Sequence, residues 1–245
     1  MFSNKHPFLT AFSLALGSAI ALGLGRFSYG LLLPVMKEDL DWSYLVAGAM
    51  NTANALGYFI GALTSPMLMR RMSVHRFFIT ASVITGIFLY LSGCTDNASL
   101  LFVLRVIAGI ASAWIFVAGG VLVSQLGTIH ANRSGLLLGI YYGGPGLGIL
   151  ISTLAVPFFN EWGMSAHWGH SWQLAWYALG ALCIALTLIL IRPIASIPAI
   201  PPKPMGHSGT PLRTYVPVLA AYFMFGVGYI GYMTFVIALL KQLGL

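Results

Sequence analysis

Two arginines and a few amides and phenols are the residues in this chain that could do chemistry. Arg26 stands in Gly23-Leu24-Gly25-Arg26-Phe27-Ser28-Tyr29 and Arg105 opens Arg105-Val106-Ile107-Ala108-Gly109, each inside a long apolar run. An arginine at the centre of a bilayer costs about 2.5–3.5 kcal/mol on insertion scales, so it must face a wet cavity or a partner. Arg26 precedes Lys37 by eleven residues, about 16 Å along a helix, which puts it near the middle of a hydrocarbon core of about 30 Å. Arg105 is closer to the outer end of its run, a depth at which snorkelling is open to it. No Asp or Glu falls within the runs as read from sequence. Carbonyls, waters, a carboxylate supplied from elsewhere or an anionic substrate are therefore the available partners. For Arg26 this favours a substrate cavity, with an interhelical structural role as the alternative; for Arg105 the structural role is favoured.

Other polar groups are placed by helical spacing. Tyr29 follows Arg26 at i+3 and shares its face, and Asn51 and Asn54 form a second i, i+3 pair. Amides in lipid need partners and point inward, serving either as glue between helices or as substrate contacts. The glycines Gly139, Gly143, Gly144, Gly146 and Gly148 around Pro145 permit close helix contact and a bend. His167 and His170 share an outer loop with Trp162, Trp168 and Trp172; a zinc site needs more ligands than this, and the tryptophans read as an interfacial belt. Cys94 and Cys183 lie in apolar stretches and read as small hydrophobes, neither a disulfide framework nor a metal site. No nucleophile–base pair, phosphate loop or metal cluster is present, so neither enzyme chemistry nor a cofactor is expected.

The elements that must position these groups are membrane helices. Hydrophobic residues make up 58% of the 245-residue chain and charged residues 7%, where soluble domains carry about 25% charge. The formal charge of +7 is spread over alternate short loops without a nucleic-acid motif; its partner is the lipid bilayer, not nucleic acid. Lys5 and the apolar run after it imitate a signal peptide, but the run resumes through Phe27 to Met36 instead of ending at the small residues Ala19 to Ala21. Seven helices are predicted, near residues 8–36, 43–69, 77–94, 99–127, 135–159, 171–191 and 214–240, because backbone in lipid must satisfy its own hydrogen bonds.

Orientation follows from the loop cations. With the N-terminus inside, eight Lys and Arg face the cytoplasm (Lys5, Arg70, Arg71, Arg76, Arg133, Arg192, Lys203 and Arg213) and two, Lys37 and Lys241, face outward. All five acids also fall outside. The stretch 193–213 is rich in proline and basic residues and reads as an extended cytoplasmic linker. It separates a six-helix unit over 8–192 from a single helix over 214–245. Across that linker the first helix repeats in the seventh: Gly23, Gly25 and Tyr29 match Gly226, Gly228 and Tyr232 at a constant offset of 203 positions, with Tyr229 opposite Arg26.

Parallel six-helix repeats are the plan of one large transporter fold, and three stretches resemble its family, the major facilitator superfamily. Gly61-Ala62-Leu63 through Arg70-Arg71 is similar to the gating-loop motif between its second and third helices, with Ser65 where the motif has Asp and Pro66 following. Arg105 to Gly109 resembles its Arg-x-x-x-Gly signature, and Gly139 through Gly148 resembles the Gly-Pro motif of its exporters. The first helix, with Leu32-Leu33-Pro34-Val35-Met36, looks like that of the YbfB/YjiJ-type branch. The resemblance implies an all-α, polytopic membrane bundle: an N-terminal six-helix unit plus one helix of a second bundle whose other five lie outside the sequence. It implies secondary transport of a small solute by alternating access across a bacterial inner membrane, with a proton or another ion as coupling ion. The central cavity would draw on Arg26, Tyr29, Asn51, Asn54, Tyr229 and Tyr232. Arg105, Gly109, Gly144, Pro145 and Gly148 would be structural or coupling residues, and Gly61, Arg70 and Arg71 would serve the gating loop. A half-transporter active only on assembly, an inert membrane fragment, and a membrane scaffold or enzyme are the competing readings.

Overall fold

The computed structural model describes residues 6–198 and 212–243, in two units, Met1–Ala199 and Ile200–Leu245, each of which is described by itself. Among the described residues the regular structure is helical throughout. The first unit holds α1 (Pro7–Asp39), α2 (Tyr44–Met69), α3 (Val74–Ser92), α4 (Ala98–Ile129), α5 (Ser134–Ser165) and α6 (Ser171–Ala195); the second holds α7 (Val216–Gln242). These lie where the apolar runs predict helices. Side-chain caps start three of them: the Ser43 hydroxyl caps α2 through the Val46 N–H, the Ser73 hydroxyl caps α3 through the Arg76 N–H, and the Asn97 amide oxygen caps α4 through the Leu100 N–H at 3.0 Å. Between α1 and α2 the chain reverses in a few residues. Asp41 adopts φ 49°, and the Trp42 N–H reaches back to the Lys37 carbonyl at 2.9 Å, closing the end of α1.

Among the described residues, five helices (α1, α3, α4, α5 with its preceding turn, and α6) are long and apolar enough to cross a membrane by length and composition alone. The helix α2 has 26 residues, ample length, but carries Asn51, Thr52, Asn54, Thr64 and Ser65. Of these, Asn54 and Ser65 are buried against its neighbours, so lipid does not meet them.

Three departures from the predicted elements have physical causes. Within α1, residues Ala19–Phe27 form a π-helical segment in which the Ser28 N–H bonds the Gly23 carbonyl, a widened turn the periodicity did not signal. The helix α5 continues to Ser165 and takes in Glu161 near its end, so helix interiors are not wholly free of acids; Glu38 and Asp39 likewise occupy the last turn of α1. Near helix ends such side chains reach water. The linker does not begin at Pro193, because α6 runs through that proline to Ala195. Residues 199–211, the body of the predicted linker, lie outside the described residues.

Glycine sets the packing of the first unit. A methyl on Gly57 or Gly61 of α2 would collide with the Val106 or Ile110 carbonyl of α4, and one on Gly109 with the Asn54 carbonyl. On α5, Gly144 meets Ala15 and Ser18 of α1, while Gly148 meets Ala19 and Gly23. In α3 and α6, Gly180 lies against Tyr90 and Gly86. Lipid supplies no hydrophobic drive between helices, so such close backbone approach and its dispersion contacts hold the bundle together.

Candidate functional site

Arg105 is the most deeply buried charge of the first unit, 1% exposed. Its guanidinium donates from Nη1 to the Gly25 carbonyl at 3.2 Å and lies between two rings, 4.9 Å from the centre of Tyr29 and 5.4 Å from that of Trp176. Its Nε and Nη2 make no hydrogen bond to the protein; the ring faces are what they meet. The surrounding residues are fixed in turn. The Tyr29 hydroxyl donates to the Ala47 carbonyl at 2.8 Å, and the Asn54 amide donates to the Arg105 carbonyl at 3.2 Å. This cluster joins α1, α2, α4 and α6. Arg105 therefore does not snorkel toward the outer surface, and it bonds the residue next to Arg26, so the two arginines share one level. Depth counted from the helix start misjudged it because the long side chain carries the charge away from its own turn.

Arg26 has other surroundings. It is half-buried, and its guanidinium carbon lies over the Tyr58 ring, 5.5 Å from the centre. It is close enough to Arg105 for the two positive charges to repel. Tyr58 also neighbours Tyr142, which packs edge-on against Phe116 at 5.7 Å between ring centres and against Tyr141 at 5.0 Å. Tyr141 is buried and donates its hydroxyl to the Phe116 carbonyl at 2.7 Å. Tyr142 is 54% exposed.

Of the six residues predicted for a cavity, the structure brings Tyr29 and Asn54 into the Arg105 cluster instead, and the i+3 spacing of Arg26 and Tyr29 does not make them one site. Asn51 is partly exposed and lies two turns before Tyr58 on one face of α2. On α7, Tyr232 is exposed within its unit, and the side chain of Tyr229 lies outside the described residues. Tyr58, Phe116 and Tyr142 escaped the sequence reading. The signals available were the i, i+7 spacing of Asn51 and Tyr58 and the Tyr-Tyr pair just before the Gly-Pro stretch.

The remaining predicted residues divide cleanly. Gly109, Gly144 and Gly148 are contact glycines, Pro145 sits within α5 between the latter two, and Gly139, Gly143 and Gly146 have nothing within 4 Å of where a methyl would stand. The close contact expected of all five α5 glycines thus holds for two, because only one face of α5 meets α1. Gly61 lies inside α2 rather than in the loop, where it packs on α4. Arg70 and Arg71 occupy the exposed α2–α3 turn, and Ser65 is buried with its hydroxyl donating to the Gly61 carbonyl at 2.8 Å.

At the end of the bundle where α1 closes and α6 begins, the tryptophans are not all a belt. Trp162 and Trp168 are exposed, but Trp172 is fully buried and donates from Nε1 to Asp39 at 2.6 Å. His170 meets the same Asp39 carboxylate oxygen at 2.5 Å, with Asp96 3.9 Å from its other nitrogen. These contacts tie the end of α1 to the start of α6.

A family model described as "Uncharacterised MFS-type transporter YbfB" matches residues 18–244.

Proposed function

The chain belongs to the YbfB-type branch of the major facilitator superfamily of transporters, and from that premise we propose that it moves a small anionic or carboxylate-bearing solute across a bacterial inner membrane. It does so by alternating access, with its N-terminus in the cytoplasm and the gradient of a proton or another ion as the driving force. The reading is transport, not catalysis. The observation that carries it is Arg26 itself: a half-buried guanidinium set on the Tyr58 ring, in a bundle whose described acids stand at helix ends and in turns. A cation held at such a boundary is what recognition of an anion requires, since an arginine edge matches a carboxylate in two parallel hydrogen bonds. The Arg105 cluster, Gly109 and the α5 contact glycines support the bundle that holds it, and the Arg70–Arg71 turn supplies cytoplasmic charge for gating and topology.

The test is uptake into proteoliposomes carrying the chain, with a panel of carboxylates and matched neutral amides. Carboxylate flux above the neutral analogues, cut at least about tenfold by Arg26→Gln, is the expected result; a tenfold change is the size of one charge-assisted hydrogen bond. Equal flux of charged and neutral solutes in both proteins would remove the reading.

A further inference from the structure

Five buried side-chain atoms without a hydrogen-bond partner among the described residues belong to one cluster: Nε and Nη2 of Arg105, Oγ of Ser112, Nε1 of Trp176 and Oδ1 of Asn54. The Trp176 ring centre lies 5.4 Å from the Arg105 guanidinium carbon, and Asn54 holds the Arg105 carbonyl through its Nδ2. Ser112 Oγ stands 2.6 Å from where a methyl on Gly25 would be, and Gly25 supplies the carbonyl that Arg105 bonds. Such unused groups are not the habit of this bundle. Every other buried serine and threonine of the unit donates to a carbonyl three or four residues back in its own helix. Ser112 makes no such bond. A buried indole N–H also ordinarily has a partner, and Trp176 is fully buried.

The types of these groups decide what they can hold. Nε and Nη2 form one edge of the guanidinium, an edge that takes an acceptor in plane. Ring faces attract the cation but accept hydrogen bonds only weakly. Arg105, Ser112 and Trp176 offer donors, and Asn54 Oδ1 is the one pure acceptor in the set. Water carries as many hydrogens as it can accept, so water alone would leave its own hydrogens short of acceptors here. The cluster also carries a full positive charge. All five acids stand at helix ends or in turns, and the ion pairs among the described residues are both made by His170. We propose that the Arg105 cluster is an internal anion site, taking a small monovalent anion of chloride's class on the Nε–Nη2 edge with Ser112 and Trp176 as further donors. The anion is a resident that joins α1, α4 and α6, not the cargo, so the proposal does not rest on the transport reading of Arg26.

The test follows thermal unfolding of the purified chain in lipid nanodiscs, with chloride replacing gluconate at fixed pH and ionic strength. Unfolding opens the cluster, so even a buried site reports its affinity: an ion held only by the folded state raises the unfolding temperature as its concentration rises. Ser112→Ala and Trp176→Phe each remove one donor and keep most of the packing, and both should elute as the parent does on gel filtration. The chloride concentration that gives a set rise in unfolding temperature is expected to increase about tenfold in each variant, the size of one charge-assisted hydrogen bond. An unfolding temperature indifferent to chloride would overturn the proposal and leave water as the occupant. A chloride response of equal size in the parent and both variants would also overturn it, by placing the ion elsewhere. Neither result bears on the flux of Arg26→Gln, so this proposal and the transport reading fail separately.

Discussion

The surroundings of Arg105 and Arg26 are opposite, although the two residues lie at one level of the same unit. Arg105 is enclosed by a backbone carbonyl and two ring faces contributed from α1 and α6; of these rings Tyr29 is itself hydrogen-bonded to α2, and the Asn54 amide bonds the Arg105 carbonyl. Arg26 lies over the Tyr58 ring and remains half-buried. Burying a charge carries a desolvation cost of several kcal/mol per ion, and at the first site a carbonyl and two rings are gathered to offset it. Two like charges in one neighbourhood also repel, so each needs its own compensation. One arginine joins helices from inside the bundle; the other keeps a share of its surface outside it.

The contrast breaks most sharply at Arg105. Arg105→Ala removes the bond to Gly25, both ring contacts and the volume between Tyr29 and Trp176. A loss of about 3–4 kcal/mol is expected, in the range of other large-to-small core changes, seen as a lower unfolding temperature in detergent. Arg105→Lys should recover little, because an ammonium cannot lie flat between two rings and bond a carbonyl at once. A variant as stable as the parent would mean that the enclosure contributes nothing.

The same contrast can be sharpened on the glycines. Gly57→Ala forces α2 away from the Val106 carbonyl on α4, and overpacking of this kind costs about 1–3 kcal/mol. Gly143→Ala, on the open face of α5, should stay within about 0.5 kcal/mol, as surface changes do. Parallel melting of the two variants checks both, and equal destabilisation would show that α5 is packed on both faces.

How much of this was legible from sequence follows from the physics of each feature. The helices were readable because lipid demands long apolar runs. The predicted end of α5 near 159 fell short, because the helix carries polar residues such as Glu161 through its last turns. Which glycines make contact was not readable from their number or from four-residue spacing, since Gly139–Gly143 has the spacing of Gly144–Gly148 and makes none. Arg105 was placed too shallow because counting residues locates a backbone and not a charge. Tyr58 and Tyr142 gave no signal of their own, since a tyrosine in an apolar helix is usually packing and only its neighbours distinguish one that is not. The π-helical segment of α1 lies beyond what periodicity shows, because two glycines and small residues suit either helix.

The smallest effect on stability is expected where the largest effect on transport is. Arg26→Gln keeps a long polar side chain over Tyr58 and leaves the Gly25–Arg105 bond in place, while relieving the repulsion between the two guanidinium groups. Its unfolding temperature should therefore match the parent's, within about 0.5 kcal/mol of stability. A gain is more natural than a loss, because the ring contact given up is worth about 0.5–1 kcal/mol at a partly exposed site and the removed repulsion acts in the other direction. If Arg26→Gln instead melts the protein as Arg105→Ala does, then Arg26 is a second structural clasp and its fall in flux would say nothing about the solute. If it is as stable as the parent and does not transport, the division of labour between the two arginines stands, and the charge at position 26 acts on what is carried.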